Sequence, residues 1–260
     1  DSANIEYVKW DMNRSICDWY TKTLPDSRQK EMPHRYVLGL YELLERLTGE
    51  FPHILFEGCS GGGGRFDAGM LYYCPQIWCS DDTDAHERTF IQYGTSFFYP
   101  ISAVGSHVSA VPNHQTGRST SIETRGIVAM AGSFGYELDL NILSEEEKQE
   151  VAKQIKAYKE YQPLIHNGFY YRLSNPYKEN MAVWEFVSQD KKEVLVQGVV
   201  FRAKPNTLRS RIRLAGLGEG MYEVLGTGEV YTGKALMTGG MLLPKVSGDD
   251  VSFEFYLKKK

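Results

Sequence analysis

The sequence predicts an α/β protein, a parallel sheet followed by an antiparallel β-sandwich, and two observations carry that prediction. Through about residue 165 short apolar runs alternate with amphipathic segments, the βαβ signature of a parallel sheet. Beyond it apolar residues recur with period two, as at Val251, Phe253, Phe255 and Leu257, between turns of Gly, Pro and Asn, which is antiparallel texture. The expected division is residues 1–165 for the α/β part and residues 166–260 for the sandwich.

In order along the chain, residues 5–10, with Ile5, Tyr7, Val8 and Trp10, read as a buried strand. Pro33 suits the first turn of a helix, Val37, Leu40, Tyr41, Leu44 and Leu47 follow its period, and Gly49 is expected to end it. Residues 53–57 read as a short strand. Residues 144–161 form the clearest helix: Ser144 and Glu147 make a capping box, acids fill the first turn, and Val151, Ile155 and Tyr158 mark one face. Residues 194–202 and Ile212 with Leu214 read as further strands.

With 260 residues, 42% apolar and 24% charged, the chain has globular composition, which excludes disordered, collagen-like and disulfide-scaffold classes. Lys and Arg number 29 against 33 Asp and Glu, and the longest basic block is the tail Lys258, Lys259 and Lys260. That balance argues against nucleic acid as a partner. No apolar run approaches the roughly 18 to 20 residues of a membrane span, and no leader pattern opens the chain, so a soluble, cytoplasmic protein is expected. The four cysteines, Cys17, Cys59, Cys74 and Cys79, show no C-x-x-C spacing and read as free thiols. The chain opens at Asp1, not Met, and is in an apolar run within a few residues, so it is expected to start inside a fold.

Three segments place polar residues directly after apolar strands: Lys9-Trp10-Asp11-Met12-Asn13-Arg14, then Glu57-Gly58-Cys59-Ser60 with glycines 61–64, Arg65, Phe66 and Asp67, then Ser80-Asp81-Asp82-Thr83-Asp84. In a (β/α) barrel the carboxyl ends of separate strands converge on one pocket, so the three clusters can be one site with Asp11 facing Asp81. Two carboxylates flanking a pocket are the equipment of glycoside hydrolysis: one attacks, the other protonates the leaving oxygen. Lys9 would keep Asp11 ionised. Against this stands a plainer reading, in which the strand-end acids are turn formers and residues 80–84 cap a helix. Lys9 and Asp11 within a strand are not turn chemistry, however, and four consecutive glycines cost backbone entropy unless something must approach closely.

Gly58-Cys59-Ser60-Gly61-Gly62 also matches the nucleophile elbow of serine hydrolases, with Ser60 as nucleophile and partners such as Asp139 and His166. An elbow must run straight into a helix, and glycines followed by Pro75 are a poor start for one. No phosphate-binding glycine motif is complete, His86-Glu87 has no second His at a ligand spacing, and Asp81, Asp82 and Asp84 lack a calcium loop's pattern, so no metal site is expected. Cys59 reads equally as a core residue or a ligand contact. Trp78, Tyr72, Tyr73 and Phe98 read as core aromatics, and His107 and His114 as loop histidines.

The three motifs, in this order and spacing, closely resemble the microbial α-galactosidases of glycoside hydrolase family 36, and the resemblance continues through residues 105–117 into the C-terminal β part. It implies a retaining exo-α-galactosidase acting on melibiose- and raffinose-type oligosaccharides without a cofactor. Asp11 matches the nucleophile, Asp81 the acid/base, and Lys9, Asn13, Cys59 and Gly62 match positions that contact galactose. A homo-oligomer is implied too, since members commonly form tetramers. The family's barrel is a (β/α)8 TIM barrel with its nucleophile near the end of the fourth strand, whereas here that position is residue 11. About 165 residues are also short of the roughly 250 of a whole barrel. The expectation is therefore strands four to eight of the barrel and then the sandwich. Related activities on α-N-acetylgalactosamine or in galactosyl transfer, and an incomplete, non-catalytic carbohydrate-binding fragment, are the competing expectations.

Overall fold

The structure, a computed structural model, describes residues 3–13, 16–206 and 209–260; Arg14 of the first motif lies outside the described residues. By compactness the chain forms two units, Asp1–Asp81 with Ala103–Gly105, and Asp82–Ser102 with Ser106–Lys260.

In the first unit the elements run β1 (Tyr7–Asp11), α1 (Met32–Glu50), β2 (Leu55–Cys59), α2 (Ala68–Tyr73) and β3 (Gln76–Trp78). β1 pairs with β2 and β2 with β3, all parallel, and β3 pairs parallel with the first residues of β4 (Val104–Ser109). Leu44 of α1 is fully buried with Phe56, Met70, Cys74 and Ile77. Burial of one such leucine stabilises the unit by about 1.5–3 kcal/mol. Gly49 does not end α1, which runs on to Glu50 and is closed by the Phe51 N–H bonding to the Leu47 carbonyl. The second strand lies at Leu55–Cys59, two residues later than expected. β1 is not a buried strand: its residues alternate between exposed and half-buried, and among the described residues it is an edge, paired only with β2. Lys9 and Asp11 already break its apolar run, and a parallel strand is fully buried only where both its faces are covered.

The second unit contains α3 (Ala85–Thr95), the later residues of β4, α4 (Ile122–Met130), β5 (Ser133–Glu137), which flanks β4, and α5 (Glu145–Asn167). The strand–helix alternation with parallel pairing is that of half a (β/α) barrel. α5 carries the expected capping box of Ser144 and Glu147. Ile155 is exposed, however, and Gln154 takes the inward place, where its amide bonds the Ile122 carbonyl at 2.9 Å and accepts from the Tyr136 hydroxyl at 2.6 Å. His107 lies on β4, not in a loop, and pairs with Glu137 at 3.1 Å; His114 is in an exposed turn as expected. Of the expected core aromatics Trp78 is buried, but Tyr72 and Phe98 are 76% and 84% exposed. Tyr72 points outward from the short α2, and Phe98 follows the end of α3, where no element covers it.

Downstream come β6 (Phe169–Arg172), β7 (Met181–Val187), β8 (Glu193–Arg202), β9 (Arg211–Ile212), β10 (Met221–Val224), β11 (Val230–Thr232), α6 (Gly233–Thr238), β12 (Met241–Leu242) and β13 (Asp249–Lys259). They form a six-stranded antiparallel sheet in the order β11-β10-β13-β8-β7-β6 and a two-stranded ladder of β12 and β9. Val194, Val196, Phe253 and Leu257 from the large sheet bury against Ile212, Leu214, Leu236 and Met241. The missing side chain of Gly198 makes room for the Phe253 ring. The opposite face of the sheet receives α4 and α5, through Gln197 to Met130 Sδ and the Tyr161 hydroxyl to Glu254.

Candidate active site

Residues two apart on a strand share a face. Tyr7, Lys9 and Asp11 of β1 therefore line up beside Glu57 and Cys59 of β2, with Lys9 opposite Glu57 and Asp11 opposite Cys59 in the register. The alternate residues Val8, Trp10 and Phe56 turn to the helices and join the core. Alternation thus sorts one segment into packing and chemistry.

The polar face is built in layers. At the bottom Glu57, 1% exposed, accepts from the Tyr7 hydroxyl and from Gln76 Nε2 at 3.1 Å. Above it Lys9 Nζ stands 3.9 Å from Glu57 Oε1 and 4.4 Å from the centroid of the Trp78 ring. At the top, at the carboxyl ends of the strands, are the two aspartates.

Asp11 Oδ2 accepts from Asn13 Nδ2 at 2.8 Å, and Asn13 Oδ1 accepts the Gly61 N–H at 2.7 Å. Desolvation pushes the Asp11 carboxyl up, but hydrogen bonds from Asn13, the Cys59 thiol and the Gly61 N–H, with the Lys9 charge behind them, outweigh it and hold Asp11 below its ordinary value. The Lys9 charge acts in the expected direction, but the hydrogen bonds do more. Cys59 is 4% exposed, and burial pushes its thiol up, with the neighbouring Asp11 carboxylate adding to the effect.

Asp81 Oδ1 accepts from Trp78 Nε1 at 3.1 Å. The glycine turn reaches this residue too. Gly61, Gly62 and Gly63 have φ of +53°, +70° and +99°. A Cβ on Gly62 would collide with the Asp81 backbone nitrogen and sit 3.1 Å from its carboxyl carbon, and one on Gly63 would strike the Cys79 carbonyl. The backbone therefore passes where only glycine fits, and the same turn touches both aspartates, Asp11 through Asn13 and Asp81 directly.

The helix-cap reading holds for Asp84 and not for Asp81. Asp84 caps α3 by accepting the His86 N–H at 2.9 Å, and Asp82 accepts the Asp84 N–H at 3.0 Å. Each residue named by the serine-hydrolase reading is engaged within its own surroundings. Ser60 Oγ donates to the Met12 carbonyl at 2.8 Å and accepts from Arg65 at 3.0 Å, Asp139 caps Asn141, and His166 pairs with the Tyr158 hydroxyl at 3.1 Å. Residues 61–65 are turn, not the start of a helix. Among the described residues no group of three or more His, Cys, Asp or Glu side chains is placed to hold a metal ion. Sequence reasoning missed Glu57 and Trp78 as parts of the site. Their positions, two before Cys59 on its strand and three before Asp81, are the signals that could have found them.

A parallel strand–helix scaffold with paired carboxylates at its strand ends is a glycosidase arrangement. Residues 1–168 match the Melibiase family, and residues 181–257 match the glycosyl hydrolase family 36 C-terminal domain. The chain is 54% identical over 258 residues to alpha-galactosidase AgaA of Geobacillus stearothermophilus, covering 99% of this chain and 35% of that protein. It is 53% identical over 256 residues to the bifunctional alpha-galactosidase/sucrose kinase AgaSK of Mediterraneibacter gnavus, covering 98% and 26%. The crystal structure of an AgaA double variant in complex with raffinose superposes with a TM-score of 0.97 at 53% identity, over 100% of this chain and 36% of that one. The chain belongs to glycoside hydrolase family 36, the melibiase family. It spans between about a quarter and about a third of the length of these relatives.

Proposed function

We propose that this chain carries the catalytic carboxylates of a retaining exo-α-galactosidase acting on melibiose- and raffinose-type oligosaccharides. Asp11 is the nucleophile: its carboxylate oxygen forms a bond to C1 of the galactosyl unit as the C1–O glycosidic bond breaks. Asp81 is the acid/base: it protonates the leaving oxygen, then takes a proton from the water that attacks C1 and frees Asp11. Lys9, Asn13, Cys59 and Gly62 contact the sugar.

The observation that carries this reading is the shared glycine turn, which meets an Asp11 held ionised by its donors on one side and Asp81 on the other. A nucleophilic carboxylate must be charged at working pH, and Asp11 has the surroundings for it. The named activities of AgaA and AgaSK, and the raffinose complex of the former, support the substrate class. Domains at 1–165 and 166–260 are proposed with support from the family matches, which break between residues 168 and 181. A homo-oligomer, tetrameric as in the family, and a cytoplasmic location are proposed from the family pattern and the free cysteines.

The test is hydrolysis of an aryl α-galactoside by purified protein carrying this sequence, with the first-formed anomer read by proton NMR. The reading expects α-galactose first and no turnover from Asp11→Asn. β-Galactose first, or an active Asp11→Asn, would contradict it.

A further inference from the structure

Trp78 ends β3, three residues before Asp81, and is 3% exposed. A buried indole N–H finds an acceptor as a rule, and a backbone carbonyl would serve. Here the acceptor is a carboxylate oxygen, Asp81 Oδ1, at 3.1 Å. The Gly62 backbone also lies against this carboxyl, close enough that a Cβ there would lie 3.1 Å from Asp81 Cγ. Lys9 Nζ stands over the indole face at 4.4 Å, itself held by Glu57 at 3.9 Å. A cation over the ring polarises it and strengthens its N–H as a donor.

A neutral carboxylic acid carries its proton on one oxygen, and an oxygen that accepts a hydrogen bond from N–H is the carbonyl-type oxygen. The Trp78 bond therefore distinguishes the two oxygens of Asp81. We infer that Trp78 is a positioning residue for proton donation: its indole N–H holds Oδ1 as acceptor, so that Oδ2 carries the proton to the glycosidic oxygen. The inference rests on the reading of Asp81 as acid/base. In the step, the Oδ2 proton passes to the glycosidic oxygen as the C1–O pair moves onto that oxygen and an Asp11 oxygen bonds C1.

Substrates that do and do not need the proton separate this role from a structural one. Trp78→Phe keeps a ring but removes the donor. Its kcat/KM for raffinose should fall at least about 10-fold further than that for 2,4-dinitrophenyl α-galactoside, whose leaving group departs unprotonated, since a lost positioning contact removes part of the roughly 10²–10⁴-fold that general-acid catalysis supplies. The ratio of the two, taken on one preparation of the protein carrying this sequence, does not depend on the folded fraction. Equal losses on both substrates, or no loss, would overturn the inference. Asp81→Asn is the control: a larger split of the same kind is expected, and its absence would overturn the acid/base reading itself and the Trp78 role with it. A second measurement needs no Trp78 variant. The Trp78 indole N–H resonance of the 15N-labelled protein should move in Asp81→Asn, and an unmoved resonance would also overturn the inference.

Discussion

Asn13 donates to Asp11 Oδ2 at 2.8 Å while its own amide oxygen accepts the Gly61 N–H at 2.7 Å, so one side chain ties the carboxylate at the end of β1 to the glycine turn. Among the influences that lower the Asp11 pKa, this bond leads. Asn13→Ala should therefore move the acidic limb of the kcat/KM profile to higher pH. The wild-type carboxylate stays ionised further into acid, and the variant protonates earlier. A pH–rate profile measures this directly, and an acidic limb that stays in place would count against Asp11 as the ionised group.

Gly62→Ala asks an L-residue to adopt φ +70° and drives its Cβ into the Asp81 backbone. The left-handed conformation costs about 1–2 kcal/mol, and the displacement falls on Asp81, the proposed acid/base. Activity should drop by about 100-fold, as for a misplacement near 1 Å, with a modest loss in melting temperature. Full activity in this variant would show that the close approach is not needed.

Burial separates the thiols. Cys59 and Cys74 are buried, and burial pushes Cys74 up to about 11, whereas Cys17 is exposed. Since the thiolate is the nucleophile, brief alkylation at neutral pH should label Cys17 in the folded protein and reach Cys59 and Cys74 only after unfolding. Peptide mass spectrometry reads the order, and rapid native labelling of Cys59 would contradict it.

In the C-terminal part Glu185 on β7 is fully buried. One carboxyl oxygen accepts the Ala215 N–H at 2.5 Å and the other has no hydrogen-bond partner among the described residues. Burial raises its pKa from 4.5 to about 8 against the opposing pull of the Ala215 bond. The folded chain thus holds a proton that the unfolded chain has released. Its stabilising contribution is complete below about pH 4.5 and is lost as pH rises through about 8, at up to about 1.4 kcal/mol per pH unit. Denaturant unfolding at pH 5 and 8 should show that slope, and Glu185→Gln should flatten it. An unchanged slope would mean that the group is ionised when folded.

Much of the site was legible because period-two alternation by itself assigns Lys9 and Asp11 to one face and Trp10 to the other. The glycine run was equally readable, as a place where backbone must come close. What the sequence could not supply was pairing between distant segments. Nothing local to β1 says that Asp11 lies opposite Cys59, or that β1 is exposed at one edge. Nor does helical periodicity place Gln154 inside and Ile155 outside, since that choice is settled by Tyr136 and the Ile122 carbonyl from elsewhere in the chain. Trp78 illustrates the limit most clearly: composition makes it a core aromatic, and it is one, but the direction of its single polar atom decides what it does.

Whether Asp11 attacks the sugar is read by trapping the intermediate. Protein carrying this sequence is treated with a fluorinated α-galactosyl fluoride whose glycosyl-enzyme turns over slowly, then digested and mapped by mass spectrometry. One added glycosyl mass is expected, on the Asp11 side chain. A label on any other residue, or substrate hydrolysis that proceeds with no label at all, would contradict it.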